Sequence, residues 1–263
     1  MRLVDSHCHL QSDRFAGDLE AVLDGARRAG VERILVPGWN RASSEAALEL
    51  ADRVTWLDSA VGVHPHDASS VDRAGWPWFE EAARDERVVA IGETGLDFDR
   101  LFSPPDAQLA NLRRNLALGV ETGKPVILHC RSTAGRRDAQ DALVAELSRV
   151  PGARAVLHSF SGPADYAEAC LELGATISFS GLVFRAGEEA SAAVASEAPL
   201  RRLLVETDAP YLSPPGAPRR RNAPEHVAIT ARWLAERRGG DGGELGDALV
   251  DTYDRTFPRI RPR

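Results

Sequence analysis

Eight times in this chain a short run rich in β-branched and other apolar residues is followed by a stretch with alanine, leucine, arginine and glutamate at helical spacing. The β-like runs are "RLVDSHCH", "VERILVPG", "VTWLDSAVGVHPH", "VVAIGETG", "PVILHC", "ARAVLHSF", "ATISFSG" and "RRLLVETD". The helical stretches carry their own punctuation. Leu19, Val22, Leu23 and Ala26 share one face and Gly30 supplies a stop; Ser43 or Ser44 is read as the N-cap of the second helix; the fourth opens near a proline pair and closes at Gly123. The seventh, "EEASAAVASEA", is the weakest, and "APEHVAITARWLAERR" is the last. Alternation of this kind predicts parallel strands joined by helical crossovers. Eight units within 263 residues suit a (β/α)8 TIM barrel forming a single domain over residues 1–263. A doubly wound open sheet shares the same periodicity.

A formal charge of −7 argues against a protein that coats long nucleic acid by bulk attraction, although a local basic patch is compatible with it. Cys8, Cys130 and Cys170 are an odd number without a C-x-x-C pair, which points to reduced thiols and a cytoplasmic protein. No basic-then-apolar leader is visible at the N-terminus, and no apolar run approaches the roughly 20 residues of a membrane helix. Nothing in the composition demands a protein partner.

Six of the seven histidines fall at or just past the end of a predicted strand: His7, His9, His64, His66, His129 and His158. In a barrel all those ends open on one face, so the imidazoles converge. Glu93 ends the fourth strand and Asp208 follows the eighth, adding carboxylate oxygens. Nitrogen and oxygen donors gathered in this way suit a borderline divalent metal. On a strand, the spacing of two places His7 and His9 on the same side, turns Cys8 away, and leaves Asp5 placed to orient a ligand histidine.

Other features have plainer readings. Cys130 reads as a packed thiol, Cys170 as a helix core residue, Trp76 and Trp78 as packing, and His226 as part of a solvated face. "ETGKPV" lacks the serine or threonine of a phosphate loop and reads as a helix stop, and there is no G-x-S-x-G elbow.

The motifs "DSHCHL", "GVHPH", "GETGLDF", "ILHCR", "LHSFSG", "ETDAPYL" and "RNAPEHV", in this order, resemble those of the TatD family of metal-dependent deoxyribonucleases, a branch of the amidohydrolase-like barrels. The resemblance runs from near residue 5 to about 230. It implies two divalent ions (zinc, manganese or magnesium), with His7, His9, Glu93 and Asp208 at one and Glu93, His129 and His158 at the other. It also implies that His64 meets the substrate phosphate; His66 is left without a firm role. Phe98 and Ala223 stand where the family often has tyrosine and glutamate.

The activity so implied is hydrolysis of a phosphodiester by metal-activated water, exonuclease-like on DNA or RNA ends. Asp208 is the expected base or orienter of the water and Glu93 the bridging carboxylate. His64 and Arg131 are expected at the phosphoryl oxygens; for Arg131 a solvated salt bridge weighs as much. Arg219 to Arg221 read equally as a grip on the nucleic-acid backbone and as a solubilising run. Two rivals stand beside this reading. One is hydrolysis of an amide, ester or lactone, including D-aminoacyl-tRNA, for which a metal-bridging lysine would be expected, whereas Lys124 is the sole lysine and lies at the wrong end of its strand. The other is a binding scaffold without turnover.

Overall fold

The structure is a computed structural model that describes residues 1–71 and 74–259. Eight parallel strands neighbour one another in chain order: β1 (Leu3–Asp5), β2 (Val31–Pro37), β3 (Leu57–Val61), β4 (Val88–Asp97), β5 (Val126–Arg131), β6 (Ala155–Leu157), β7 (Thr176–Phe179) and β8 (Leu203–Val205). The seam between β8 and β1 is closed by Ser6 N to Val205 O (3.1 Å), Asp208 N to His7 O (2.9 Å) and His9 N to Ala209 O (2.7 Å). The eightfold pattern has therefore folded into a barrel, and the open-sheet alternative falls away. Strands buried on both faces explain why the runs read as nearly continuous apolar stretches instead of alternating ones.

Around the barrel lie α1 (Leu19–Arg28), α2 (Arg41–Arg53), α3 (Trp76–Ala82), α4 (Pro105–Thr122), α5 (Asp138–Ser148), α6 (Ala164–Glu172), α7 (Glu189–Glu197), α8 (Val227–Arg238) and α9 (Gly242–Thr256). Their buried faces complete the core; each fully buried leucine or isoleucine, such as Leu112, Leu116 and Ile91, contributes roughly 2–3 kcal/mol by leaving water. The N-cap of α2 is Asn40, not Ser43 or Ser44. Asn40 is extended, its side chain accepts from Ser43 N (3.0 Å), and Ser43 Oγ accepts in return from Asn40 N (2.9 Å). Gly123 ends α4 in the left-handed conformation, as expected.

The ninth helix is an addition. It follows the breaker-rich "GGDGG", is capped by Asp241, and buries Leu245, Leu249 and Tyr253 against β1, β8 and α8. At the floor of the barrel Asp58 accepts from Arg33 Nε (2.8 Å), Tyr253 Oη (2.8 Å) and Arg259 Nε (2.7 Å), joining β2 and β3 to α9 and the tail beyond it. Among the described residues no helix is long and apolar enough to cross a membrane. Cys8, Cys130 and Cys170 are free thiols.

Candidate metal centre at the mouth of the barrel

Glu93 is the hub. The motif reading set it at the end of β4, but the strand continues to Asp97, and two glycines bracket the carboxylate. Gly92 (φ +127°) and Gly95 (φ +133°) take conformations that side chains oppose, and a Cβ on Gly95 would lie 2.0 Å from His129 O. The "GETG" motif thus lets β4 press against β5 while Glu93 points to the axis.

Each oxygen of Glu93 faces a separate set of imidazoles. Oε2 lies 3.2 Å from His7 Nε2 and 3.7 Å from His9 Nε2. Asp208 Oδ1 completes that first group at 3.3 Å from His9 Nε2 and 3.7 Å from His7 Nε2. Oε1 lies 2.9 Å from His158 Nε2, 3.3 Å from His129 Nδ1 and 3.2 Å from His64 Nε2. Donor atoms about 2.0–2.1 Å from a cation lie about 3.0 Å apart along octahedral edges and about 3.4 Å apart along tetrahedral ones. Both groups have the spacing of a coordination shell.

Hydrogen bonding on the far side of each ring sorts ligands from donors. His158 Nδ1 meets Glu206 Oε1 at 3.2 Å, and His129 Nε2 meets Asp97 Oδ2 at 3.3 Å. Those carboxylates accept the ring protons, so His158 Nε2 and His129 Nδ1 turn lone pairs toward Glu93 Oε1, itself an acceptor. Three acceptors converging at such distances repel one another until a cation or a proton stands between them. This donor set fits a divalent metal. His64 has the opposite polarity: its Nδ1 accepts the backbone N–H of His66 (3.1 Å), which leaves the proton on Nε2, facing Glu93. It is grouped with Glu93 and His129 by distance, yet presents an N–H donor to the site.

The electrostatics agree. Burial pushes Glu93 up, but His158, His64 and His7 outweigh it and hold the carboxyl well below its usual range. Burial pulls His158 down, yet Glu93 and Glu206 on either side raise it well above the ordinary histidine value. Burial lowers His64 to about 4, so its ring stays neutral. Asp97 is held low against the pull of burial by His129 and His66, and Glu206 falls to about 2 against burial through His158.

The first group straddles the barrel seam. β1 stops at Asp5, so His7 and His9 project from the bend beyond it, with Nε2 atoms 3.2 Å apart. Asp5 does not orient an imidazole. It accepts from Thr207 N (2.9 Å), Thr207 Oγ1 (2.6 Å) and the backbone N of His7 (3.3 Å), clamping the two strand ends together. Asp208 takes a positive φ of 53°, a strain tolerated more readily by aspartate than by most residues. His226, expected on a solvated face, is half-buried, and its Nδ1 meets Asn222 Oδ1 (2.9 Å) while Asn222 Nδ2 donates to Thr207 O (2.9 Å). The "RNAPEHV" segment is thus a buckle on the loop that carries Asp208.

Outside the two groups, His66 Nε2 lies 2.8 Å from Asp97 Oδ2. Arg131 Nη1 reaches the same oxygen at 3.6 Å and lines the cleft over the centre. Arg219 and Arg220 line that cleft too, but Arg221 is bound to Asp18 (2.6 Å) and belongs to the scaffold. The sequence reading missed Asp97 and Glu206, both inside motifs it quoted; their only signal was a second acid close to each expected ligand, in "ETGLD" and "ETD".

Known proteins share this architecture and its sequence. The family model described as TatD related DNase matches residues 4–258. A Bacillus subtilis (strain 168) protein named as an uncharacterized metal-dependent hydrolase, YabD, is 34% identical over 258 residues, 97% of this chain and 98% of its own. A 3'-5' ssDNA/RNA exonuclease TatD of Enterobacter lignolyticus is 42% identical over 248 residues, covering 91% of this chain and 92% of its own. The crystal structure of YJJV, a TatD homolog from Escherichia coli K12, superposes with a TM-score of 0.88 at 33% identity, covering 97% of this chain and 98% of that one.

Proposed function

This chain belongs to the TatD related DNase family, and on that premise we propose that it is a divalent-metal-dependent nuclease that removes nucleotides from the 3' ends of DNA or RNA. The observation that carries the reading is the division of one carboxylate, Glu93, between two convergent donor groups. We assign His7, His9, Glu93 and Asp208 to one ion, and Glu93, His129 and His158 to a second. Ions held there would supply Lewis acidity toward a phosphodiester and acidify the attacking water.

The remaining work falls to the protein. Asp208 takes the proton of the water, for which its position at the cleft suits it. His64, neutral with its proton on Nε2, donates to a phosphoryl oxygen; Arg131 offsets charge that develops there. Arg219 and Arg220, on the same cleft, hold backbone phosphates, which reconciles an acidic chain with a polyanion. A lysine-bridged amidohydrolase centre finds no support: the sole lysine, Lys124, bonds Ala83 O (2.5 Å) and Asp85 O (2.9 Å) away from the site. Three free thiols suit a cytoplasmic setting for this single catalytic domain.

The test is turnover. Purified protein with Mg²⁺, Mn²⁺ or Zn²⁺ should shorten a single-stranded oligonucleotide from its 3' end, and Asp208→Asn should reduce the rate by at least about 100-fold. No cleavage with any of these metals overturns the nuclease assignment; full activity of the variant overturns the role of Asp208.

A further inference from the structure

Two aromatic side chains are strongly exposed among the described residues, Phe102 (68%) and Tyr211 (53%), and both line the cleft above the centre. Exposed apolar side chains scattered singly are unremarkable. Here each ring accompanies a different histidine of the cleft. Phe102, in the loop between β4 and α4, lies 4.7 Å from the ring of His66, on the side of the second group. Tyr211, in the loop after β8, lies 5.9 Å from the ring of His9, on the side of the first.

Both rings are pre-positioned. Tyr211 N donates to Asp208 O (2.8 Å), tying the aromatic to the residue that takes the water's proton, and the Arg14 guanidinium lies 6.0 Å from its ring centre. Next to Phe102, Ser103 Oγ donates to His66 O (2.8 Å) and accepts from Ser69 N (3.0 Å), which pins the loop. The cleft has a mixed lining in which Asp67, Asp99 and Glu188 stand beside arginines; Arg185, Arg219 and Arg220 line it with no carboxylate partner among the described residues.

We propose that Phe102 and Tyr211 each stack on one of the two bases flanking the scissile phosphate, and so select unpaired strands. This deepens the nuclease reading above and rests on it. A phosphate seated over Glu93 leaves one nucleotide toward each ring, and the arginines meet the backbone. A base within a duplex has both faces occupied by its neighbours, so it can use these rings only once it has left the stack.

The experiment crosses protein variants with substrates lacking a base. Wild type, Phe102→Ala, Tyr211→Ala and Tyr211→Phe are assayed on a ten-residue oligothymidylate. The same strand is then used with an abasic tetrahydrofuran residue at the terminal or the penultimate position. On the intact strand each alanine variant should raise KM about 5- to 100-fold, the range for loss of one base–aromatic stack, and Tyr211→Phe should restore it. One variant's defect should vanish with the terminal abasic residue and the other's with the penultimate one, a cancellation that a purely structural defect would not show. Unchanged KM, defects that persist on both abasic strands, or defects cancelled at the same position would overturn the proposal. Fluorescence anisotropy with these strands in EDTA reads the same cancellation in affinity, so failure of wild-type cleavage would sink the nuclease reading while leaving stacking separately decided.

Discussion

Replacing Glu206 with glutamine keeps the shape of the side chain and removes its charge. Glu206 is fully buried, and its Oε1 accepts from Ser159 N (2.7 Å), Ser159 Oγ (2.8 Å) and His158 Nδ1 (3.2 Å). A glutamine oxygen in that position keeps all three bonds. Its amide would then face Ser6 Oγ, 3.4 Å from the present Oε2, which can accept while donating to Val205 O. The fold should therefore hold while His158 loses one of the two charges that raise its basicity. A carboxylate behind a metal-bound histidine is worth 10- to 100-fold in affinity, or about 1.4–2.7 kcal/mol. Calorimetric titration of Mn²⁺ or Zn²⁺ into EDTA-stripped protein at fixed pH measures the effect, with thermal unfolding of both metal-free proteins as the control. Affinity within about twofold of wild type with an intact fold would refute the reasoning, because His158 would then be no ligand or Glu206 no support to it. A loss of metal-free stability above about 3 kcal/mol would refute it differently, by showing that the charge holds the fold itself.

Two further perturbations act away from the mouth. Asp58→Asn at the barrel floor leaves Arg33 and Arg259 without their shared charge, although Arg33 keeps Asp254 and Arg259 keeps the Thr55 and Leu57 carbonyls. Urea unfolding should show a loss of about 3 kcal/mol, the low end for breaking a buried pair, with kcat/KM of the folded enzyme unchanged. Glu146 is held below the usual glutamate range by Arg113, with burial opposing and Arg149 assisting. Because the folded value is depressed, the stabilisation is present above the unfolded value of about 4.3 and disappears as pH falls through the folded one. Glu146→Gln should therefore cost about 1 kcal/mol at pH 7, the arginines being largely exposed, and almost nothing at pH 2; equal costs at both would refute the pairing.

Most of the centre was legible because strand ends in a barrel share one face, so His7, His9, Glu93, His129, His158 and Asp208 could be gathered without knowing any distance. What stayed hidden is set by backbone geometry beyond the strands. Glu206 and Asp208 are both acids two positions apart, and only the turn at Thr207, held by Asp5 and Asn222, sends one behind His158 and the other toward His9. The polarity of His64 depends on a 3-10 turn over Pro65–Asp67 that offers the His66 N–H to its ring. The last helix was lost behind glycines, though Leu245, Leu249, Tyr253 and Phe257 recur every four residues and would have disclosed it.

The seam between the first and last strands gives the enzyme a built-in order of assembly. Residues 64, 93, 129 and 158 can be in place once six strands exist, but the first group takes its histidines from the opening of the chain and Asp208 from near its close. A chain still emerging from the ribosome, which folds its earlier parts first, holds His7, His9 and Glu93 without Asp208. The first group would thus be completed last, by the turn that follows the final strand, so that its geometry depends on closure of the whole barrel.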